Sequence, residues 1–249
     1  MSRISYLVRV TCLVAALMAF SGICQAAMWV GGEMGPNMIG RTDAHETVGG
    51  AADLTLHNLA VSPAVLGGGT IGYDFVNSGV LGANYPEWMG NFGVLLDMTF
   101  NRFPIPSQTA SVTGNSNGVG VNTTTKTSDI EGKVWPLLFG VYGHFGCWST
   151  TTCPGGVINP YLVVGPAIAW SSIRVRGVSG TMNDTTPAFG TELGLRIILA
   201  PYPLTLDVAF RYRYLHPSYD GTAEPSGQRV NINFAANSFT PLLRLAYHF

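Results

Sequence analysis

The sequence predicts an all-β fold: a closed, eight-stranded antiparallel up-and-down barrel that crosses a membrane. Three observations carry that prediction. The chain of 249 residues is 47% hydrophobic but only 11% charged, where a soluble domain is ~25% charged. Its first residues have the pattern of an export signal, and no later apolar run reaches the ~18–20 residues that a membrane helix needs. The remainder alternates apolar and polar residues with period two, as strands with one apolar face do. A mean hydropathy of +0.25 means that the chain either buries most of itself or sits in lipid. In hydrocarbon only helices and closed barrels satisfy their own backbone.

Composition also excludes classes of function. The formal net charge is −1 and the only lysines are Lys126 and Lys133, so the basic surplus of a nucleic-acid binder is absent. Aromatic residues make up 11%, too many for a disordered chain. The low charge argues against an ordinary cytosolic enzyme.

Residues 1–26 read as a cleaved signal peptide. Arg3 and Arg9 form the positive region, Val10 to Ile23 the apolar region, and Ala26 and Ala27 the small-residue cleavage site. Cleavage after Ala26 leaves Cys24 at the −3 position. An acylated lipoprotein Cys needs a small residue before it, and Ile23 is not one. Residues 27–249 then form a single barrel domain with no linker. Removing Arg3 and Arg9 leaves 13 − 2 = 11 basic against 14 acidic residues, a charge of −3.

Eight strands follow in order. Residues 28–40 begin directly after the signal. Residues 63–76 are Gly-rich, which leaves room inside a small barrel. Their Gly67-Gly68-Gly69 run precedes no helix and is no phosphate cradle. In residues 92–101, Phe92, Val94, Leu96, Met98 and Phe100 face one way and Gly93, Leu95, Asp97, Thr99 and Asn101 the other. Residues 131–146 and 158–173 carry Pro136 and Pro166; each removes a ladder donor, so a bulge or local irregularity is expected there. Residues 189–199 set Phe189, Leu193, Leu195, Ile197 and Leu199 against Gly190, Glu192, Gly194 and Arg196. Residues 204–214 are the clearest. Every even position from Leu204 to Tyr214 is apolar or aromatic, and the odd positions are Thr205, Asp207, Ala209, Arg211 and Arg213. Residues 239–249 end the chain, with Phe239, Leu243, Leu245, Tyr247 and Phe249 opposite Thr240, Arg244 and His248.

An even strand count returns both ends to one side, as bacterial outer-membrane barrels require. Long polar connections, residues 41–62, 102–130, 174–186 and 216–236, are expected as four extracellular loops. Shorter ones, 77–89, 147–157 and 200–203, are expected on the periplasmic side. Residues 107–128 read either as a disordered loop or as a hairpin that carries its strands beyond the membrane; their Thr and Val content favours the hairpin.

Aromatic girdles are expected at both interfaces. Trp29, Trp88, Trp135, Tyr161, Tyr202 and Tyr247 are assigned to the periplasmic end, and Tyr73, Phe103, Trp170 and Tyr214 to the outer end. Eight strands enclose a lumen just wide enough for side chains to fill. The charges expected inside are Glu33, Asp97, Glu192, Arg196, Asp207, Arg211, Arg213 and Arg244, joined by Asp74, His144 and His248. Unpaired buried charges cost several kcal/mol each, so these should pair across the lumen and plug it. Cys147 and Cys153 remain after the signal is removed. In an oxidising compartment they suggest a disulfide closing a small loop, worth on the order of 2 kcal/mol. No second cysteine pair or histidine accompanies them as metal ligands.

The export signal, the eight alternating segments, the Arg211-Tyr212-Arg213-Tyr214 stretch and the terminal Leu243, Leu245, Tyr247 and Phe249 together resemble the small outer-membrane β-barrel superfamily. This includes the OmpA-type transmembrane domain and the opacity-type, porin-like proteins. The resemblance covers the whole mature chain. It implies a place in the bacterial outer membrane, contact with its lipids and lipopolysaccharide, and insertion by the barrel-assembly machinery with Tyr247 and Phe249 as its signal. It implies no cofactor, no metal and no catalytic residue. The expected role is structural or surface-interacting, through a surface ligand held by the loops. A narrow channel for small solutes is the alternative.

A third reading rests on His216 and Ser218, which continue the outward register of the seventh strand. They resemble the His-x-Ser of the lipid A 3-O-deacylase family of eight-stranded barrels, where the Ser is the nucleophile and the His its base. Here Tyr219 stands where that family has Asn, Val230 stands where it has its acid, Glu224 comes too early, and Pro217 interrupts the motif.

Overall fold

A computed structural model describes residues 28–50, 52–75, 85–146, 157–199 and 202–249. The signal peptide and the Cys147/Cys153 pair lie outside the described residues. The strands are β1 (Met28–Ile39), β2 (Thr42–Val48), β3 (Ala52–Leu59), β4 (Ala64–Asp74), β5 (Phe92–Arg102), β6 (Thr109–Ser116), β7 (Val119–Lys126), β8 (Ile130–His144), β9 (Ile158–Val175), β10 (Met182–Ile198), β11 (Leu204–Leu215), β12 (Ser218–Thr222), β13 (Arg229–Phe234) and β14 (Ala236–His248). A 3₁₀ turn, Glu87–Asn91, precedes β5.

Eight of these close into an antiparallel barrel in the order β1-β14-β11-β10-β9-β8-β5-β4, with β4 pairing back onto β1. They are the eight strands the alternation marks out. The apolar parity faces outward: Ile71, Leu96, Leu193, Val208, Leu243 and Leu245 are all exposed. Leu95, Asp97, Glu192, Arg211 and Arg244 point inward and are buried. An Arg or Lys on the lipid face costs about 2–4 kcal/mol at mid-membrane, so charge in the membrane-crossing part of these strands has only the lumen to occupy, while Arg102, Glu131, Lys133 and Arg174 stand exposed toward the strand ends.

Pro136 and Pro166 produce no bulge but a local irregularity: the β5–β8 pairing skips Trp135 and Pro136, and the β8–β9 pairing skips Gly165 and Pro166. Pro136 faces Ala169 and Pro166 faces Phe189 with the register constant on both sides. Each proline loses one donor, and the fixed φ of proline is tolerated by an extended strand.

The expected open loops are corrected more substantially. Three of the four long connections fold into a second, six-stranded sheet in the order β12-β13-β2-β3-β6-β7. The fourth, residues 174–186, is largely strand, because β9 runs for 18 residues and β10 for 17. A tilted strand needs only ~9–11 residues to cross the hydrocarbon, so these two project well beyond it. The hairpin expected within residues 107–128 is β6–β7. It turns at Asn117-Gly118, both with positive φ, the two-residue turn whose twist suits a hairpin. In the β2–β3 hairpin, Asp43 accepts the backbone N–H of Asn58 at 2.7 Å and contacts His57 at 3.2 Å. The Asn58 bond, then that to His57, holds the Asp43 carboxyl below its usual range.

The second sheet encloses an apolar core above the membrane. Phe103, Ile105, Val134, Ile173, Met182, Tyr219, Val230, Ile232 and Phe234 pack together, with Leu215 and Ala236 from the barrel strands at its base. Fully burying a side chain of this size contributes about 1.5–3 kcal/mol, which is why segments that read as polar loops hold a defined sheet.

The girdles need five corrections. Trp29 and Tyr161 point into the lumen and are buried, and Phe103 lies in the apolar core. Trp135 pairs with Trp170 at the outer end, while Tyr73 pairs with Met28 at the inner end, so these two exchange sides. Trp88, Tyr202, Trp170 and Tyr214 are exposed where expected.

Gly72 makes room for Trp29: a Cβ there would lie 2.1 Å from the indole ring. Outward-facing Gly69 has only ordinary contacts. Gly72→Ala should therefore lower folding stability by about 1–3 kcal/mol, read as the midpoint of urea unfolding in micelles. Gly69→Ala should leave that midpoint nearly unchanged.

Candidate functional site

The lumen brings the eight predicted charges into one network. β1 supplies Glu33, β5 Asp97, β10 Glu192 and Arg196, β11 Asp207, Arg211 and Arg213, and β14 Arg244. Every one of them holds the inward parity of its strand and is buried. Four carboxylates meet four guanidiniums, so the formal charge balances.

Arg211 is the hub. It donates from Nε to Glu192 at 2.7 Å and from Nη2 to Glu33 at 2.9 Å and Asp97 at 3.0 Å. Arg244 crosses the same carboxylates from the neighbouring strand. It donates to Glu33 at 2.7 Å, Glu192 at 3.0 Å and Asp207 at 3.2 Å. Arg213 donates to Asp97 at 2.6 Å on the outer side, and Arg196 to Asp207 at 3.1 Å on the inner side. Arginine suits this role because its rigid fork of five donors serves several carboxylates at once. Neutral groups complete the shell. Thr70 donates to Asp97 at 2.8 Å, Tyr161 to Glu192 at 2.6 Å, and Thr240 to Asn37 at 2.8 Å. Arg211 and Arg244 are buried at 1% and 0% exposure.

Toward the inner mouth the layer becomes aromatic. The Arg196 guanidinium lies 4.6 Å from the Trp29 ring centre, within the range of a cation–π contact. Trp29 Nε1 donates to Tyr142 at 3.0 Å, and Tyr142 donates to Asp74. His144 lies 4.0 Å from Asp74, and His248 contacts Thr205 at 3.1 Å. These groups border a cavity of about 300 Å³ at the rim, with Arg196, Asn159 and Tyr202. The charged layer and the apolar core above it are thus stacked along one axis.

Trp29, Tyr142 and Tyr161 are lumen residues that the sequence reading did not place inside. For Trp29 the signal was present: it shares parity with Glu33. β9 carries no charge between Tyr161 and Ser171, so nothing in that strand fixes which face turns inward.

Tyr247 is half-buried and pairs across β14 with Leu204. Phe249 stacks edge-on against it at 5.1 Å, and its N–H donates to Met28. His216 and Ser218 are both exposed. The Ser218 hydroxyl accepts from Asn231 at 3.1 Å, and its backbone N–H donates to Asp184. Among the described residues, no His, Cys, Asp or Glu cluster is arranged to hold a metal ion.

Arg211→Met would take one guanidinium away from Glu33, Asp97 and Glu192, leaving four buried carboxylates against three guanidiniums. It should cost about 3–5 kcal/mol, the range for breaking a buried ion pair, read as the urea midpoint of the folded barrel. Arg229→Met, which removes a solvent-exposed pair with Asp220, should not shift that midpoint measurably.

No protein-family model matches the chain, and no curated protein sequence matches it. Solved structures do. The outer membrane protein OprG from Pseudomonas aeruginosa aligns over 92% of this chain and 98% of its own, at 15% identity and a TM-score of 0.55. Neisserial surface protein A aligns over 89% and 97%, at 12% identity and a TM-score of 0.43. The outer membrane protease OmpT from Escherichia coli aligns over 89% and 97%, at 10% identity and a TM-score of 0.46. At these identities the likeness is one of fold, and OprG carries it. Closure, strand order, the apolar outer band and this likeness give the chain the fold of the small outer-membrane β-barrel proteins of bacteria.

Proposed function

We propose that the protein is a non-enzymatic integral outer-membrane barrel whose lumen is a structural plug and whose extracellular sheet is its working surface. The observation that carries this reading is the balanced ion network. Four guanidiniums and four carboxylates fill the mid-membrane section, and an apolar core closes the outer end above them. A side-chain-filled lumen is what eight strands accommodate. On this reading the barrel is an anchor, and interaction with surface partners falls to strands β2, β3, β6, β7, β12 and β13.

Two further assignments belong to the same reading. Tyr247 and Phe249, held at the seam where β14 meets β1, are the signal read by the barrel-assembly machinery. The outer aromatics Trp170 and Tyr214 contact the lipopolysaccharide leaflet. The engagement of Ser218 by Asn231, rather than by His216, supports a strand end and not a nucleophile with its base, since a nucleophile needs its base within hydrogen-bond reach.

Purified full-length protein inserted into planar bilayers tests the plug. The expected result is the absence of stable open-channel current steps at neutral pH. Reproducible unitary conductance from the wild-type barrel would overturn the plugged lumen and favour a narrow channel.

A further inference from the structure

The extracellular sheet holds a second site, built around a carboxylate that the rest of the molecule does not use. On β2 the residues facing the inside of the cap are Thr42, Ala44, Glu46 and Val48, by alternation. Ala44 is buried in the apolar core and Val48 packs against it. Glu46 stands in that row between apolar neighbours, opposite Leu54 on β3 and Ile232 on β13. It is half-buried, and no hydrogen bond or ion pair is made to it among the described residues. A carboxylate kept from water without a partner is costly, and burial pushes the Glu46 carboxyl above its usual range.

This side chain faces a cavity. About 310 Å³ of space is bounded by Glu46, Leu56, Leu59, Ile105, Val230 and Ile232, at the lower end of the ~300–1,000 Å³ of small-molecule pockets. The cavity opens between the end of edge strand β7 and the tip of the β9–β10 hairpin, where Lys126 and Arg176 stand exposed. An outer cleft continues from this mouth and adds Asp129, Glu131, Arg174 and Glu224. Lys126, Arg174 and Arg176 carry three positive charges, and Asp129, Glu131 and Glu224 three negative ones. The mouth is therefore balanced, and Glu46 is left as the uncompensated charge at the wall of an apolar chamber.

We propose that this cavity binds a small apolar molecule bearing one ammonium group, with its apolar body against Leu56, Leu59, Ile105 and Ile232 and its ammonium on the Glu46 carboxylate. A charge-assisted hydrogen bond is about twice as strong as a neutral one, and it forms here where water is partly excluded. A neutral molecule of the same shape gains only the apolar contacts. An apolar anion meets repulsion from Glu46. The site is independent of the lumen, so it holds whether or not the barrel conducts.

Isothermal titration of the full-length barrel in neutral-detergent micelles tests this, with 2-phenylethylammonium as the probe and 2-phenylethanol as its uncharged isostere. The ammonium should bind saturably and at least ten-fold more tightly than the alcohol. Glu46→Gln should erase that difference, and filling the cavity by Ile232→Trp should abolish binding of both. Amide shifts on adding the ammonium should concentrate in β2, β3 and β13. Unboiled gel mobility confirms that each variant is a folded barrel. The proposal is overturned if the two probes bind equally, if neither binds saturably, or if Glu46→Gln keeps the preference. Should Glu46→Gln not fold, the wild-type preference and the Ile232→Trp result decide alone.

Discussion

The structure depends on the pairing of Arg211 and Arg244 with the carboxylates of Glu33, Asp97, Glu192 and Asp207. Hydrocarbon outside the barrel forbids charge on the lipid face, and the period of a strand sends every second residue inward. Glu33 of β1, Asp97 of β5, Glu192 and Arg196 of β10, Asp207, Arg211 and Arg213 of β11, and Arg244 of β14 therefore converge on the lumen. There each guanidinium reaches carboxylates from several strands. The same bonds that neutralise the lumen also tie the first strand to the last two, so they reinforce closure of the ring as well as filling it. Such a network is high-stakes. It is stable when every member is satisfied and costly when one is removed.

Outside the membrane the logic reverses. The barrel wall is apolar without and charged within. The cap is solvated without and apolar within, because water replaces lipid as the surrounding medium. Leu215 and Ala236 mark the change, as inward barrel positions that belong to the apolar core. An apolar layer thus follows a charged one along the inward-facing residues. The cap also contains the chamber beside Glu46, which lies among the cap strands and apart from the charged layer of the barrel.

The eight barrel strands were legible because lipid imposes strict alternation over segments long enough to cross the membrane. The eight lumen charges followed from the same parity. What escaped was set by weaker constraints. Trp29 and Tyr161 read as interface aromatics because an aromatic is compatible with either face, and only Gly72 and Gly194, which yield space to their rings, show that the inward one is taken. The exchanged positions of Tyr73 and Trp135 follow from strand direction alone. The cap sheet was obscured because its strands are short and carry Ser, Thr and Asn on the solvated face, a composition shared with loops. Its traces were nonetheless present, in the Asn117-Gly118 turn and in the Ala44, Val48, Val230, Ile232 and Phe234 alternation. The Cys147/Cys153 bridge and the signal peptide rest on sequence alone.

The central claim is that the mid-membrane lumen is dry and its arginines are locked in ion pairs. Hydrogen exchange of the arginine Nε–H groups, followed by NMR with the barrel in lipid nanodiscs, measures this directly. The account predicts that Arg211 and Arg244 Nε–H signals persist long after those of exposed Arg229 have vanished into deuterated solvent. Exchange of Arg211 and Arg244 as fast as Arg229 would mean that water traverses the lumen, and it would contradict the account.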